Sequence, residues 1–161
     1  MKIKVYPQGK LPKKDWLQEV QFMCADSQYN DYLPEDSGVL AVIPAESLKS
    51  FGRRLKKAVK ILMIDEEADR VIGCAFIAKD RKNKKDGLVY RLHDVYVRAR
   101  YRNLGVATRL VDYATLEAHK LKVDKLELSV NPLNDQALHI YKQALFKIMP
   151  GQSIMMQRKH V

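Results

Sequence analysis

Apolar residues fall at Trp16, Val20 and Met23 within the stretch 13–26, the i, i+4, i+7 rhythm of one buried helix face. A second helical pattern covers 45–60, interrupted by Gly52. The rhythm then shortens. KILMID (60–65), RVIGCAFIAKD (70–80) and GLVYRLHDVYV (87–97) are dense in β-branched and aromatic residues. EEAD and RKNKKDG separate them, which predicts an antiparallel meander of three strands. From Gly105 to Leu121 the helical period returns, with Val106, Leu110, Ala114 and Leu121 near one stripe. DKLELSV (124–130) reads as a strand, and NDQALHIYKQALF (134–146) as a helix opened by an asparagine cap. KIM and SIMMQRK, split by Pro150 and Gly151, read as a closing hairpin, and IKVYP (3–7) as a short first strand. This order predicts an α/β (α+β) fold: a mixed, mainly antiparallel central sheet flanked by about four helices.

The 161 residues contain no linker, repeat or biased tract, so a single domain spanning 1–161 is expected. No run of 18 apolar residues exists, and MKIKVYPQGK lacks the apolar stretch of a signal peptide. No membrane partner is expected. Cys24 and Cys74 lie in apolar surroundings, FMCAD and IGCAF, and read as buried thiols rather than a disulfide or a metal site. These features together predict the cytoplasm. Basic residues outnumber acidic ones 29 to 19, a net charge of +10. Such an excess fits nucleic acid, a membrane surface or a phosphorylated ligand, and it equally fits a solvated basic surface.

The stretch RYRNLGVATRL (100–110) narrows that choice, because Gly105 stands between a run of arginines and the start of a helix, directly after a strand. The first turn of a helix exposes unpaired N–H groups and a partial positive charge. With a glycine-bearing loop before it, such an end forms a cradle for an anion. Taken alone, Gly105 is equally an ordinary turn residue. The glycine spacing is not that of a dinucleotide-binding loop, and no Gly-Lys-Ser/Thr of a Walker loop follows.

RNLGVA (102–107) fits Arg/Gln-x-x-Gly-x-Gly/Ala after a strand ending LHDVYV, and so resembles the GNAT family of N-acetyltransferases. NDQALHIYKQALF is similar to that family's Asn-x-x-Ala-x-x-x-Tyr-x-x-x-Gly-Phe block, with Asn134, Ala137, Tyr141 and Phe146 at matching positions. Ala99 stands where the family often has proline, and Leu145 where it usually has glycine.

The resemblance implies a GNAT-like sheet and acetyl transfer from acetyl-coenzyme A to a primary amine by direct attack on the thioester. It implies that the backbone of Val95, Tyr96 and Val97 holds the pantetheine arm and polarises the carbonyl. Arg102, Asn103, Leu104, Gly105, Val106, Ala107 and Thr108 would hold the pyrophosphate through N–H groups. Asn134 would bond the pantetheine or nearby backbone, and Tyr141 would protonate the leaving thiolate. Tyr141 also reads as a helix-face aromatic packed in the core.

The chemistry needs a neutral amine. A lysine-like amine with a pKa of about 10.4 costs about 4.6 kcal/mol to present neutral at pH 7. His93 stands at the strand position where some members of the family carry a glutamate base, and its ordinary pKa suits the task. Asp94 follows it, on the opposite face if strand alternation holds. A structural histidine, a structural aspartate and a water base remain alternatives. The acceptor pocket is expected around Tyr29 to Phe51, with Asp31, Glu35 and Asp36 available to attract a cationic amine. No metal site is expected: His119 and His139 lie on predicted helices without ligand spacing. The basic stretch 53–60 and the loop Lys79–Lys85 read as solvated surface.

Two other classes stay open. One is a non-catalytic acyl-CoA-binding or regulatory module on the same fold. The other is a nucleic-acid-binding protein, which the charge suggests but no RNA-binding or helix-turn-helix motif supports. A homodimer is open as well.

Overall fold

The computed structural model describes residues 1–29, 47–151 and 155–159. Seven strands form one sheet: β1 (Lys2–Tyr6), β2 (Val59–Asp65), β3 (Arg70–Asn83), β4 (Gly87–Val97), β5 (Lys125–Ser129), β6 (Lys147–Ile148) and β7 (Met155–Lys159), in the order β1-β2-β3-β4-β5-β7-β6. Every pairing is antiparallel except that of β4 with β5. Four helices accompany it: α1 (Lys14–Tyr29), α2 (Leu48–Leu55), α3 (Val106–Lys120) and α4 (Asp135–Gln143). The mixed, mainly antiparallel sheet with four helices is the one the periodicity predicts.

The helices cover both faces, which is why the middle strands read as continuous apolar runs. Ile61, Leu62, Met63 and Ile64 of β2 are all at most 1% exposed. Ile61 and Met63 join Ile72, Ile77, Tyr90 and Leu92 in a core that includes Leu110 and Ala114 of α3 and Tyr141 of α4. Leu62 and Ile64 pack on the other face with Val71, Cys74 and Phe76, against Trp16, Val20 and Met23 of α1 and Phe51 and Leu55 of α2. Cys24 and Cys74 are buried free thiols in this second layer.

The element bounds differ from expectation at two helices and at β3, which runs on to Asn83 through the expected loop Lys79–Lys85 and brings Arg81 onto the buried Glu127. Among the described residues the pattern 45–60 yields a helix over Leu48–Leu55, and Val59 onward is claimed by β2. Lys60, which the sequence places on a solvated basic face, is fully buried on that strand. Its ammonium donates to the carbonyls of Pro7 (3.0 Å), Leu55 (3.1 Å) and Ala58 (2.7 Å). A buried charge is tolerable only with such partners, and burial still pushes its pKa down to about 8. The pattern 134–146 ends as a helix at Gln143, because Leu145 turns into the left-handed region at φ 68°.

Candidate active site

β4 and β5 pair over Val89–Arg91 with Lys125–Glu127, and the ladder stops there although β4 runs on to Val97. A cleft of about 680 Å³ lies beyond the paired segment. Val95, Tyr96 and Val97 line one wall and the loop through Gly105 to Thr108 closes one end. The facing wall is the start of α4, from Asn134 to Tyr141.

The strand approaching this cleft is irregular. Phe76 stands opposite His93 but Cys74 stands opposite Tyr96, so β4 carries one residue more than β3 between these pairs. This is a β-bulge. Asp94 adopts φ 50° at it, and its carbonyl accepts a weak bond from the Cys74 thiol at 3.5 Å. Simple alternation therefore does not carry through Asp94, and the expected opposition of its side chain to that of His93 loses its basis. Burial raises the Asp94 pKa, against the opposing pull of His93 and Arg54. Burial lowers the His93 pKa; Asp94 opposes this, while Arg91 and Arg54 add to it. The His93 residue is itself exposed, and the net pull on it is toward the neutral imidazole. His93 and Asp94 precede the cleft wall rather than line it.

The loop after β4 is tied down by side chains. Arg98 is not surface charge: its side chain is 11% exposed, its backbone N–H reaches Ile72 O at 2.9 Å, and its Nε reaches Val71 O at 2.8 Å. Tyr101 donates to Asp65 at 2.8 Å, which lowers the pKa of that carboxyl. Arg102 donates from Nε to Val97 O at 2.9 Å and lies over the Tyr96 ring. Its guanidinium thus folds the loop as well as charging it.

Gly105 caps α3 from φ 76°, ψ 8°, and has no side chain to offer the helix. A Cβ built there would meet nothing within 4 Å, so the glycine serves the backbone conformation rather than a tight fit. The first intrahelical bond is Arg109 N to Gly105 O. Among the described residues the N–H groups of Val106, Ala107 and Thr108 donate no backbone bond, and these residues line the cleft. Asn103 is also left-handed, at φ 60°. Leu104, grouped with this loop from sequence, is 58% exposed and does not line the cleft.

On the facing wall, Asn134 caps α4 by accepting from Ala137 N–H at 3.0 Å, which engages its Oδ1. Tyr141 lines the cleft while only 9% exposed, and burial pushes its pKa up to about 12. Sequence reasoning missed Tyr101, Gln136, His139 and Gln143, which also line the cleft. The last three recur at i, i+3 and i+7 on α4, a stripe separate from that of Asn134 and Tyr141, so the spacing of the motif residues did not point to them. Asp31, Glu35 and Asp36 lie outside the described residues. Among the described residues, no group of three or more His, Cys, Asp or Glu side chains could hold a metal ion, and no helix is long and apolar enough to cross a membrane.

The cleft thus joins a strand pair that parts, a helix start with no side-chain cap and the Tyr141 phenol. The chain belongs to the acetyltransferase (GNAT) family, whose model matches residues 24–145. Solved structures agree on the fold. The ribosomal-protein-alanine N-acetyltransferase of Brucella melitensis superposes with a TM-score of 0.74 at 16% identity, over 99% of each chain. A GNAT acetyltransferase from Staphylococcus aureus Mu50 gives 0.64 at 17% identity, over 98% of this chain and 99% of that one. An aminoglycoside 6'-acetyltransferase type Ii gives 0.66 at 16% identity, over 100% and 98%. No curated protein sequence matches the chain.

Proposed function

We propose that the protein is an acetyl-CoA-dependent N-acetyltransferase acting on a primary amine. The observation that carries this reading is the pairing, in one cleft, of the uncapped N-terminus of α3 with the buried Tyr141 hydroxyl. The three free N–H groups and the helix dipole suit a diphosphate. The backbone of Val95 to Val97, left without a β5 partner, offers hydrogen bonds to the pantetheine arm and to the thioester carbonyl. Acetyl-CoA supplies an activated acyl group, and the remaining work falls to the protein.

Tyr141 supports the leaving sulfur as a hydrogen-bond donor rather than by full proton transfer. With its pKa near 12, passing its proton to a thiolate whose conjugate acid has a pKa of about 8.5 is uphill by about 5 kcal/mol. We assign His93, whose pKa is lowered and which lies on β4 just before the cleft wall, to take the amine's proton, directly or through water. Asp94 supports that imidazole electrostatically. The buried free thiols Cys24 and Cys74 fit a reducing compartment, and we place the protein in the cytoplasm.

The test follows free-thiol release from acetyl-CoA with a panel of acceptors: aminoglycosides, peptides with free N-termini and lysine-containing peptides. Amine-dependent release is expected with at least one class. CoA binding with no release from any acceptor would instead indicate a non-catalytic binding module.

A further inference from the structure

We infer that Gln136 is a positioning residue for the donor-binding loop, a role that rests on the acetyl-CoA reading above. Its side-chain amide donates from Nε2 to Asn103 Oδ1 at 2.8 Å, joining α4 to the loop before α3 across 33 residues of sequence. Both residues line the cleft, so this bond joins its two walls.

The loop needs such a tie at this point. Upstream it is anchored by Arg98, by Tyr101 on Asp65 and by Arg102 on Val97 O. Downstream the helix begins with Arg109 bonding Gly105 O. Between these anchors, among the described residues, no backbone bond is donated by Asn103, Leu104 or Gly105. Asn103 and Gly105 are both left-handed, and Leu104 between them is exposed. Left-handed backbone is accessible to asparagine and glycine but not held by them. The Gln136 amide fixes the middle of this stretch, and with it the direction of the N–H groups that follow.

The other end of the tie is rigid. Gln136 lies in the first turn of α4, whose start is fixed by the Asn134 side chain on Ala137 N–H. The hydrogen bond therefore refers the loop to a capped helix end. It also sets the spacing between the two walls. In this reading the effect falls on donor binding and not on the acyl-transfer step.

The test is a double-mutant cycle with CoA and acetyl-CoA as probes. Gln136→Met keeps the length and removes the donor; Asn103→Gly removes the acceptor and suits the left-handed backbone. Both side chains are exposed, so the fold is expected to survive. Each variant is expected to raise the CoA Kd and the acetyl-CoA KM about fivefold, the size of one net hydrogen bond, with kcat within about twofold. The double variant is expected to be no worse than the worse single one. A Gln136→Met protein with wild-type CoA affinity, additive losses, or a fall in kcat at constant KM would overturn the assignment. A wild-type protein that binds no CoA would overturn the parent reading instead.

Discussion

Tyr141 and Phe146 meet edge to face, with ring centroids 6.0 Å apart and planes inclined by 61°. The contact closes the end of α4. Phe146 N–H returns to Tyr141 O at 2.9 Å and Leu145 N–H to Lys142 O at 3.0 Å, the paired bonds of a Schellman ending. The residue turned left-handed between the two rings is Leu145, where this family usually has glycine. The ending thus forms without glycine, and Tyr141 keeps its place in the cleft at the expense of backbone strain.

Leu145→Gly is therefore expected to stabilise the protein by about 1 kcal/mol, the strain of a left-handed leucine. Leu145 is 65% exposed, so little burial is lost. Urea denaturation reads the gain, and kcat should not change. A loss of stability would show that the leucine side chain matters more than its backbone.

Tyr141→Phe keeps the ring pair and removes the hydroxyl. A fall in kcat of about 10- to 100-fold is expected, in keeping with a lost donor at the leaving group. The phenol's pKa is raised in the folded state, to about 12 against about 10 unfolded. Stability linked to it is complete below the unfolded value and is lost as pH rises through the folded one. The variant should flatten that alkaline decline in a denaturation series, and an unchanged kcat would remove the donor role.

His93 gives an acid-side signature. Its folded pKa is lowered by burial, so kcat/KM should rise with pH through a value below the ordinary histidine range and then level off. The linked stability runs in the same direction. The unfolded state binds the proton more readily, so stability rises with pH across that window and is complete above it. His93→Gln is expected to cost about 100-fold in kcat/KM and to abolish the acid limb. Retention of both would assign the base to water.

Lys60→Met leaves three carbonyls without their shared donor. A loss of about 3 kcal/mol is expected from buried acceptors left unpaired. Guanidinium denaturation measures it, and the residual folded enzyme should keep its kcat, since Lys60 lies outside the cleft.

The sequence made the layer order and the strand meander legible because apolar spacing reports burial directly, as at Ile61 to Ile64. It also singled out Gly105 and Tyr141, whose residue types suit unusual backbone and a donor in an apolar wall. Lys60 was missed because a lysine in a basic run reads as solvated; only the fold brings Pro7, Leu55 and Ala58 to it. Arg98 carried no local signal either, since its partner carbonyls lie on β3 and meet it only in the folded chain. Gln136 carries no local signal toward Asn103, because the bond joins elements that meet only in the folded chain.

The bulge at Asp94 also acts as a counting device. Tyr90 and Leu92 face the α3 layer, and strict alternation would send Tyr96 there too. Instead Val97 enters that layer and Tyr96 the opposite one. One surplus residue has exchanged odd for even along the last segment of β4. The Tyr96 ring can then lie under the Arg102 guanidinium, while the Val97 carbonyl receives its Nε. This part of the chain should accommodate many substitutions but no deletion, since losing a single residue would exchange the two faces of everything up to the glycine loop.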